Sequence, residues 1–408
     1  MIYSGKRHMD AITQLLERGV EAIYPTRKDL EKVLRSGKKL TLYQGFDPTG
    51  TKLHIGHMIG LKKLRQWQKL GHHVIFLIGD GTGQAGDPSG KLTTRDRFLT
   101  REELRKNARD YVMQANKIVQ FDGDNPVEIL YNGDWLTELK LADVLNIAQH
   151  FSLQQLAERD LFQQRIKKGE TVNLREFLYP LLQAYDSVAM EVDLELGGSD
   201  QTFNMLCGRT LMKGMLNKDK FVMTTPLLSD ATGRKIGKSE GNAIAIIDRP
   251  EDLFGKLMSL GDEIIVPGLE CLTDLPMEEI QKISKELDGG KNHMQYKKKL
   301  AYETVKQLNN ENDAKNAQEN FEKTVQQKEL PINITEVSLD ANHAGIINED
   351  LLVTLGLAIS KSEAKRLFQQ GGVEVDGEKV VESNKISVKN DMIIRVGKRK
   401  IIKLKTNK

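Results

Sequence analysis

LYQGFDPTGTKLHIGH, Leu42 to His57, is the stretch whose reading decides the fold of this 408-residue chain. Its first residues belong to an apolar run, Leu40 to Phe46, with the character of a buried strand. A loop of Gly, Pro and Thr follows and ends at two histidines three residues apart. Helical spacing then runs from Met58 to Leu70 and stops at Gly71, a suitable C-cap. HVIFLIG, His73 to Gly79, reads as a second buried strand. Strand, helix and strand at crossover length are the building block of a parallel sheet. Further strands are expected at VEILYN (Val127 to Asn132), VDLELGG (Val192 to Gly198) and KFVMTT (Lys220 to Thr225). Arg101 to Met190 is mostly helical in pattern and is expected to interrupt the sheet as an insertion.

The chemistry begins at the same place. A helix start offers unpaired N–H groups and the positive end of the helix dipole, which suit a polyanion. His54 and His57, at i and i+3, share one helix face, so both rings can point the same way. Alone, the pair equally suits two histidines that cap neighbouring groups. GDPSGK, Gly86 to Lys91, is a second glycine-rich turn, after the Val74 strand, with Lys91 and Arg95 in reach of phosphate oxygens. It lacks P-loop spacing, and GDGTGQAG only approaches a dinucleotide motif, so an ordinary turn with exposed bases stays open. The third element is ATGRKIGKSEGN, where Lys235, Lys238 and Ser239 sit among Gly233, Gly237 and Gly241. Glycines on all sides suit a loop that closes over phosphates. Each motif follows an expected strand, and parallel sheets present ligands at the carboxyl ends of their strands. The three together suit ATP.

Bulk properties set the frame. The length suits two or three domains. The longest obvious apolar run, Val74 to Ile78, is far too short for a membrane span, and the N-terminus lacks the apolar core of a signal peptide. Cys207 and Cys271 are well separated and in no metal-ligand spacing, so a reduced, cytoplasmic protein without a protein-bound metal is expected. The net charge of +3 hides an asymmetry: Lys385 to Lys408 carries nine Lys or Arg against Asp391, or +8, leaving about −5 for the remainder. Those bases alternate with Ile393, Ile394, Val396, Ile401, Ile402 and Leu404, which fits strands with a basic face toward a nucleic-acid backbone better than a disordered tail.

After Arg249-Pro250 the texture turns helical, with PMEEIQKISKEL (Pro276 to Leu287) and HMQYKKKLAYETVKQL (His293 to Leu308). Pro331 to Ile346 has little periodicity and reads as a linker. From Asn348 a third unit begins, with a Ser360/Glu363 capping box, a helix ended by Gly371-Gly372, and a hairpin around Asp376-Gly377. The expected division is 1–248 (insertion about 101–210), 249–335 and 345–408.

H-I-G-H after a strand, with K-I-G-K-S far downstream, resembles the class I aminoacyl-tRNA synthetases. LYQGFDPTGTKLHIGH, GDPSGK, YPLLQAYD (Tyr179 to Asp186) and GGSDQ (Gly197 to Gln201) resemble, more narrowly, the bacterial-type tyrosyl-tRNA synthetase family, over essentially the whole chain. The resemblance implies an α/β fold: a Rossmann-like parallel-sheet catalytic domain with a helical insertion, an α-helical anticodon-side domain and a small α+β RNA-binding domain like that of a ribosomal protein. It implies that tyrosine attacks the α-phosphorus of ATP, giving tyrosyl-adenylate and pyrophosphate, and that the terminal adenosine of tRNA(Tyr) then takes the tyrosyl group. Thr49 and His54 would bind the leaving phosphates, joined by Lys91, Arg95, Lys235, Lys238 and Ser239 from loops. His57, Gly198 and Asp200, with Asp47 nearby, would hold the nucleoside, and magnesium would arrive with ATP. Tyr43 and Asp186 would bond the substrate phenol, Asp87, Tyr179 and Gln183 the α-amino group, and Gln201 would lie by the carboxylate. A homodimer joined through the insertion is also implied.

Glu195 departs from the family, many of whose members carry Gln there, and adds an acid near the substrate site. K-I-G-K-S differs from the general K-M-S-K-S of the class. The competing readings are a tryptophanyl-tRNA synthetase, against which Tyr43, Asp186 and the C-terminal unit speak; a non-catalytic RNA-binding protein on a synthetase scaffold; and a nucleotidyltransferase of the same H-x-x-H fold.

Overall fold

The computed structural model describes residues 10–87, 97–157, 160–229, 236, 243–326, 335–339, 346–381, 386–397 and 400–406. The chain divides into two compact units, one of residues 1–248 and 257–310, the other of residues 249–256 and 311–408. Lys91, Arg95, Lys235, Lys238 and Ser239 lie outside the described residues.

The first unit is built on a six-stranded sheet of β1 (Ala22–Tyr24), β2 (Thr41–Phe46), β3 (His73–Ile78), β4 (Glu128–Tyr131), β5 (Leu194–Gly198) and β6 (Phe221–Thr225), in the order β1-β6-β5-β2-β3-β4. All neighbours are parallel except β1, an antiparallel edge strand that the sequence pattern does not announce. Three residues are too few to show a period, and β1 exists because β6 offers it partners. β3 is apolar on both faces, as a covered parallel strand must be. From β2 the chain goes to β3 and β4 on one side, then returns to β5 on the other. The crevice between β2 and β5 is therefore the switch point, where ligands of such sheets bind.

The helix after β2 spans Ile55–Lys69, three residues earlier than its apolar period suggests, because His54 caps it. Its buried face carries Met58, Leu61, Leu64 and Trp67 against the sheet. The range 101–210, expected as an insertion, holds β4 and β5 of the central sheet. Between them, helices run from Gly133 to Ala189. The last of these, Leu174–Ala189, opens with a capping box of Asn173 and Glu176. It packs on the helix Thr202–Leu216 through Leu181, Ala184, Val188, Cys207 and Leu211.

In the second unit a five-stranded sheet runs β7 (Thr335–Leu339), β11 (Lys400–Thr406), β10 (Ile393–Val396), β8 (Val373–Val375) and β9 (Glu378–Val380). Leu352, Phe368, Val373, Ile394 and Leu404 are among its core residues. The β8–β9 hairpin turns at Asp376 and Gly377 with φ of 48° and 88°, as a two-residue turn demands. β7 falls inside the stretch expected as a linker. It pairs in parallel with β11, a partner more than sixty residues away, so nothing local marks it. The basic strands are partly neutralised: Asp391 accepts from Lys403 at 2.8 Å and Lys405 at 2.6 Å.

Candidate active site

Four segments leave the carboxyl ends of β2, β3, β5 and β6 and enclose one cavity of about 260 Å³. From the first two come Tyr43, Asp47, Thr49, His54, His57 and Asp87. The helix Leu174–Ala189 and the β5 end add Tyr179, Gln183, Asp186, Gly198, Asp200 and Gln201. Every sequence-predicted site residue among the described ones is thus brought together.

The helix explains three of these positions and adds Ser187. Tyr179, Gln183, Asp186 and Ser187 stand at i, i+4, i+7 and i+8, which is one face of an α-helix. Asp186, fully buried, accepts from Asn132 Nδ2 at 3.0 Å and from the Trp135 indole at 2.9 Å. Burial pushes its carboxyl well up, and those two bonds act in the opposite sense. Tyr43 faces the same end. Burial, and after it the charges of Glu195 and Asp186, pushes its phenol well above the ordinary range, so it stays protonated. Asp186, whose oxygens already accept from Asn132 and Trp135, and a phenol that can donate make a fitting pair for another phenol.

Deeper along the wall, Tyr179 donates to Asp47 Oδ2 at 2.9 Å, and the Thr82 hydroxyl donates to Asp47 Oδ1 at 2.8 Å. The sequence places Asp47 beside the nucleoside; these hydrogen bonds tie it to a tyrosine expected at the amino group. Gly79 makes this possible, since a Cβ there would stand 1.9 Å from Asp47 Oδ1. Gln201 donates to Asp87 Oδ2 at 2.8 Å and accepts from Asn204. Asp47, Asp87 and Glu195 all line the cavity, and acidic neighbours suit an ammonium group.

At the other end the two histidines form a capping pair. His54 precedes the helix and its Nδ1 accepts from Gly56 N–H at 3.1 Å; His57 Nδ1 accepts from His54 N–H at 3.1 Å. Their ring centroids are 3.8 Å apart. The rings thus lie side by side, as the spacing suggests, with His54 as the N-cap just before the helix and His57 in its first turn. Because both Nδ1 atoms accept, each neutral ring carries its proton at Nε2. Both rings line the cavity, so capping and ligand binding are the same arrangement. Gly56 is needed there, as a Cβ would meet the His54 ring at 2.9 Å.

Of K-I-G-K-S, Ile236 is the residue the structure describes. Ile236, 2% exposed, donates its N–H to Leu228 O at 2.8 Å and lines the cavity. Beyond it, Ile55 N–H donates to Ile244 O and Ile246 N–H to Leu53 O, both at 3.0 Å. The segment that follows the lysines is thereby stitched to the start of the histidine helix. Among the described residues, no group of three or more His, Cys, Asp or Glu is placed to hold a metal ion, and no helix is long and apolar enough to cross a membrane.

Sequence reasoning missed Thr82, Asn132, Trp135, Ser187 and Lys220. Asn132 ends an expected strand at the right sheet edge, which was a usable signal. Nothing local marks Lys220.

The family model for class I tRNA synthetases (W and Y) matches residues 35–326, and that of the S4 domain matches residues 349–393. The chain is 42% identical over 397 residues to the tyrosine–tRNA ligase of Thermotoga maritima, covering 96% of each. It is 41% identical over 395 residues to that of Dehalococcoides mccartyi, covering 96% of this chain and 98% of the other. Among solved structures, a truncated mitochondrial tyrosyl-tRNA synthetase of Aspergillus nidulans superimposes with a TM-score of 0.63 at 25% identity, over 77% of this chain and 94% of the other. The Archaeoglobus fulgidus tyrosyl-tRNA synthetase complexed with L-tyrosine shares the fold, with a TM-score of 0.60 at 19% identity over 76% of this chain and all of the other. With the site's geometry and near full-length identity agreeing, this chain belongs to the tyrosine–tRNA ligase family of class I aminoacyl-tRNA synthetases.

Proposed function

We propose that the cavity takes L-tyrosine at its Tyr43–Asp186 end and ATP at its His54–His57 end, and that the chain makes tyrosyl-adenylate and then charges tRNA(Tyr). The observation that carries this reading is the joining of both ends in one cavity at the switch point of the sheet. Asp186 accepts the substrate's O–H and Tyr43 donates to its oxygen, so phenylalanine would leave both groups unpaired. Asp87, Tyr179 and Gln183 hold the α-ammonium, and Gln201 lies by the carboxylate. Gly198 and Asp200 fit the nucleoside, with Asp47 nearby.

Adenylate formation needs positioning and charge stabilisation more than covalent help. His54, a donor at Nε2, faces the phosphates with Thr49, and His57 faces the nucleoside with Gly198 and Asp200. Lys91, Arg95, Lys235 and Lys238 complete the cation set as pyrophosphate leaves, and Ser239 adds a neutral hydroxyl donor. Magnesium arrives with ATP, held by its phosphates. The second unit, with its S4-type fold, takes the tRNA. We read the chain as 1–248 (catalytic), 249–335 (anticodon side) and 345–408 (RNA binding). A homodimer is supported by the exposed apolar Leu141, Leu145, Leu153 and Leu174, all above 60% exposed, on the helical stretch between β4 and β5. Cys207 and Cys271 are buried and form no disulfide, which fits the cytoplasm.

Pyrophosphate exchange into ATP, run with tyrosine, with tryptophan and without amino acid, tests the central claim. Exchange with tyrosine alone is expected; exchange with tryptophan but not tyrosine would overturn it. For the tRNA side, Lys365 and Arg366 are exposed on the helix Lys361–Gln369. The double change Lys365→Glu and Arg366→Glu should raise the KM for tRNA roughly tenfold, more at low salt, with exchange unchanged.

A further inference from the structure

Beneath the tyrosine end of the cavity lies a buried charge pair that the reaction scheme above does not use. Glu195 on β5 is the direct neighbour of Tyr43 on β2 in the parallel register, so both side chains stand on one face of the sheet. Lys220, just before β6, meets Glu195 Oε2 in an ion pair, and neither side chain is more than 2% exposed. The same ammonium donates to Ser187 Oγ at 2.8 Å, and Ser187 Oγ lies 2.9 Å from the Tyr43 hydroxyl. On its other side, Glu195 Oε1 accepts from Gln183 Nε2 at 2.9 Å. Room for the cluster comes from Gly208 on the helix Thr202–Leu216. A Cβ there would stand 2.4 Å from Lys220 Nζ, 3.1 Å from Ser187 Oγ and 3.2 Å from Glu195 Oε2.

The donors and acceptors impose a direction. Lys220 can only donate, so Ser187 Oγ accepts from it. The remaining Ser187 hydrogen has two acceptors: Glu195 Oε2 at 3.5 Å, the outer limit of a hydrogen bond, or the Tyr43 oxygen at 2.9 Å. Either oxygen could donate across the shorter contact, and we infer that Ser187 does so because its distance is the better one. Tyr43 then accepts from Ser187, and its own hydrogen is released toward the cavity. A substrate phenol has one hydrogen, which Asp186 accepts, so its oxygen must receive from Tyr43. One unbroken chain runs from ammonium to Ser187, to Tyr43, to the phenol, to the Asp186 carboxylate. Glu195 acts likewise at the other end. A carboxylate can only accept, so it takes the amide nitrogen of Gln183 and leaves Gln183 Oε1, buried and without a hydrogen-bond partner among the described residues, to face an ammonium.

We propose that Lys220, Glu195 and Ser187 are positioning residues for tyrosine: Lys220 through Ser187 makes Tyr43 a donor to the substrate phenol, and Glu195 turns the Gln183 carbonyl toward the α-ammonium. The proposal rests on the reading that this cavity binds tyrosine. A glutamine at position 195 would present both a donor and an acceptor and would set neither direction. The acid at this position is thus matched to Lys220, which neutralises it.

The test compares kcat/KM in pyrophosphate exchange for tyrosine and phenylalanine in the full-length chain. Ser187→Ala should cut the tyrosine-to-phenylalanine ratio roughly tenfold or more, by losing tyrosine activity and leaving phenylalanine activity nearly unchanged. Ser187→Thr keeps the hydroxyl and should restore the ratio. The double change Glu195→Gln and Lys220→Met removes both charges at once, so no lone buried ion is left. It should lower the same ratio and also raise the KM of both amino acids, through Gln183. A ratio unchanged in Ser187→Ala, or equal losses for both substrates, overturns the proposal. A wild-type chain inactive with tyrosine would instead overturn the reading of the cavity on which the proposal stands.

Discussion

The two ends of the cavity are built in opposite ways. The tyrosine end rests on β2, β5 and one helix, and its polar groups are already bonded: Tyr43 to Ser187, Asp186 to Asn132 and Trp135, Glu195 to Lys220 and Gln183. The proposed ATP end is made of a helix start and of loops, with Gly56 leaving room for the His54 ring and Gly198 for the Asp200 carboxylate. Selectivity between a phenol and a phenyl ring needs groups that cannot relax, because an unpaired buried donor is costly only if nothing moves to satisfy it. Phosphates that leave during the reaction need groups that can follow them. On the proposed assignment, regular elements carry the choice of amino acid and loops carry the reacting charge.

That contrast can be broken by experiment. Its largest consequence is at the tyrosine end: Lys220→Met leaves Glu195 charged and buried, and should destabilise the fold by about 3–5 kcal/mol. Urea unfolding measures this, and a loss below about 1 kcal/mol would mean that the pair is not desolvated. Next in size, His54→Ala should slow adenylate formation on the order of a hundredfold in single-turnover kinetics. Tyrosine affinity by equilibrium dialysis should change less than about threefold, because His54 lies at the far end; comparable losses in both would erase the division between the ends. Its stability should fall by about 1 kcal/mol for the lost cap.

The smallest effect concerns the strand that carries Tyr43. His72 Nδ1 accepts from Leu40 N–H at 3.1 Å, and burial, with Lys39 nearby, pushes its pKa from 6.5 to about 4. The unfolded chain therefore binds this proton first as the pH falls. The contribution is fully present above pH 6.5 and is lost as the pH falls toward 4. His72→Gln should flatten the slope of unfolding free energy across that window, and an identical slope in both chains would show that the acid sensitivity lies elsewhere.

Much of the site was legible in residues 42–57 because its determinants are local. A strand, a Gly-Pro-Thr loop and a capped helix follow from adjacent side chains, and so does the position of His54 at a helix start. The face of Tyr179, Gln183 and Asp186 is likewise a matter of helical spacing. β1 and β7 were not legible, since short strands form only when a distant partner supplies their hydrogen bonds. The role of Glu195 was open for the same reason.

By itself, then, the amino-acid sequence determined the strand-loop-helix unit, the cluster of phosphate-binding residue types, and the tyrosine and aspartate suited to a phenol. Only the tertiary structure decided what the extra acid does. The β2–β5 register sets Glu195 beside Tyr43, and the turn before β6 brings Lys220 from 25 residues away to neutralise it. Ser187 reaches Tyr43 across 144 residues. Buried charge and hydrogen-bond direction depend on every group within a few ångströms, and chain neighbours supply few of these.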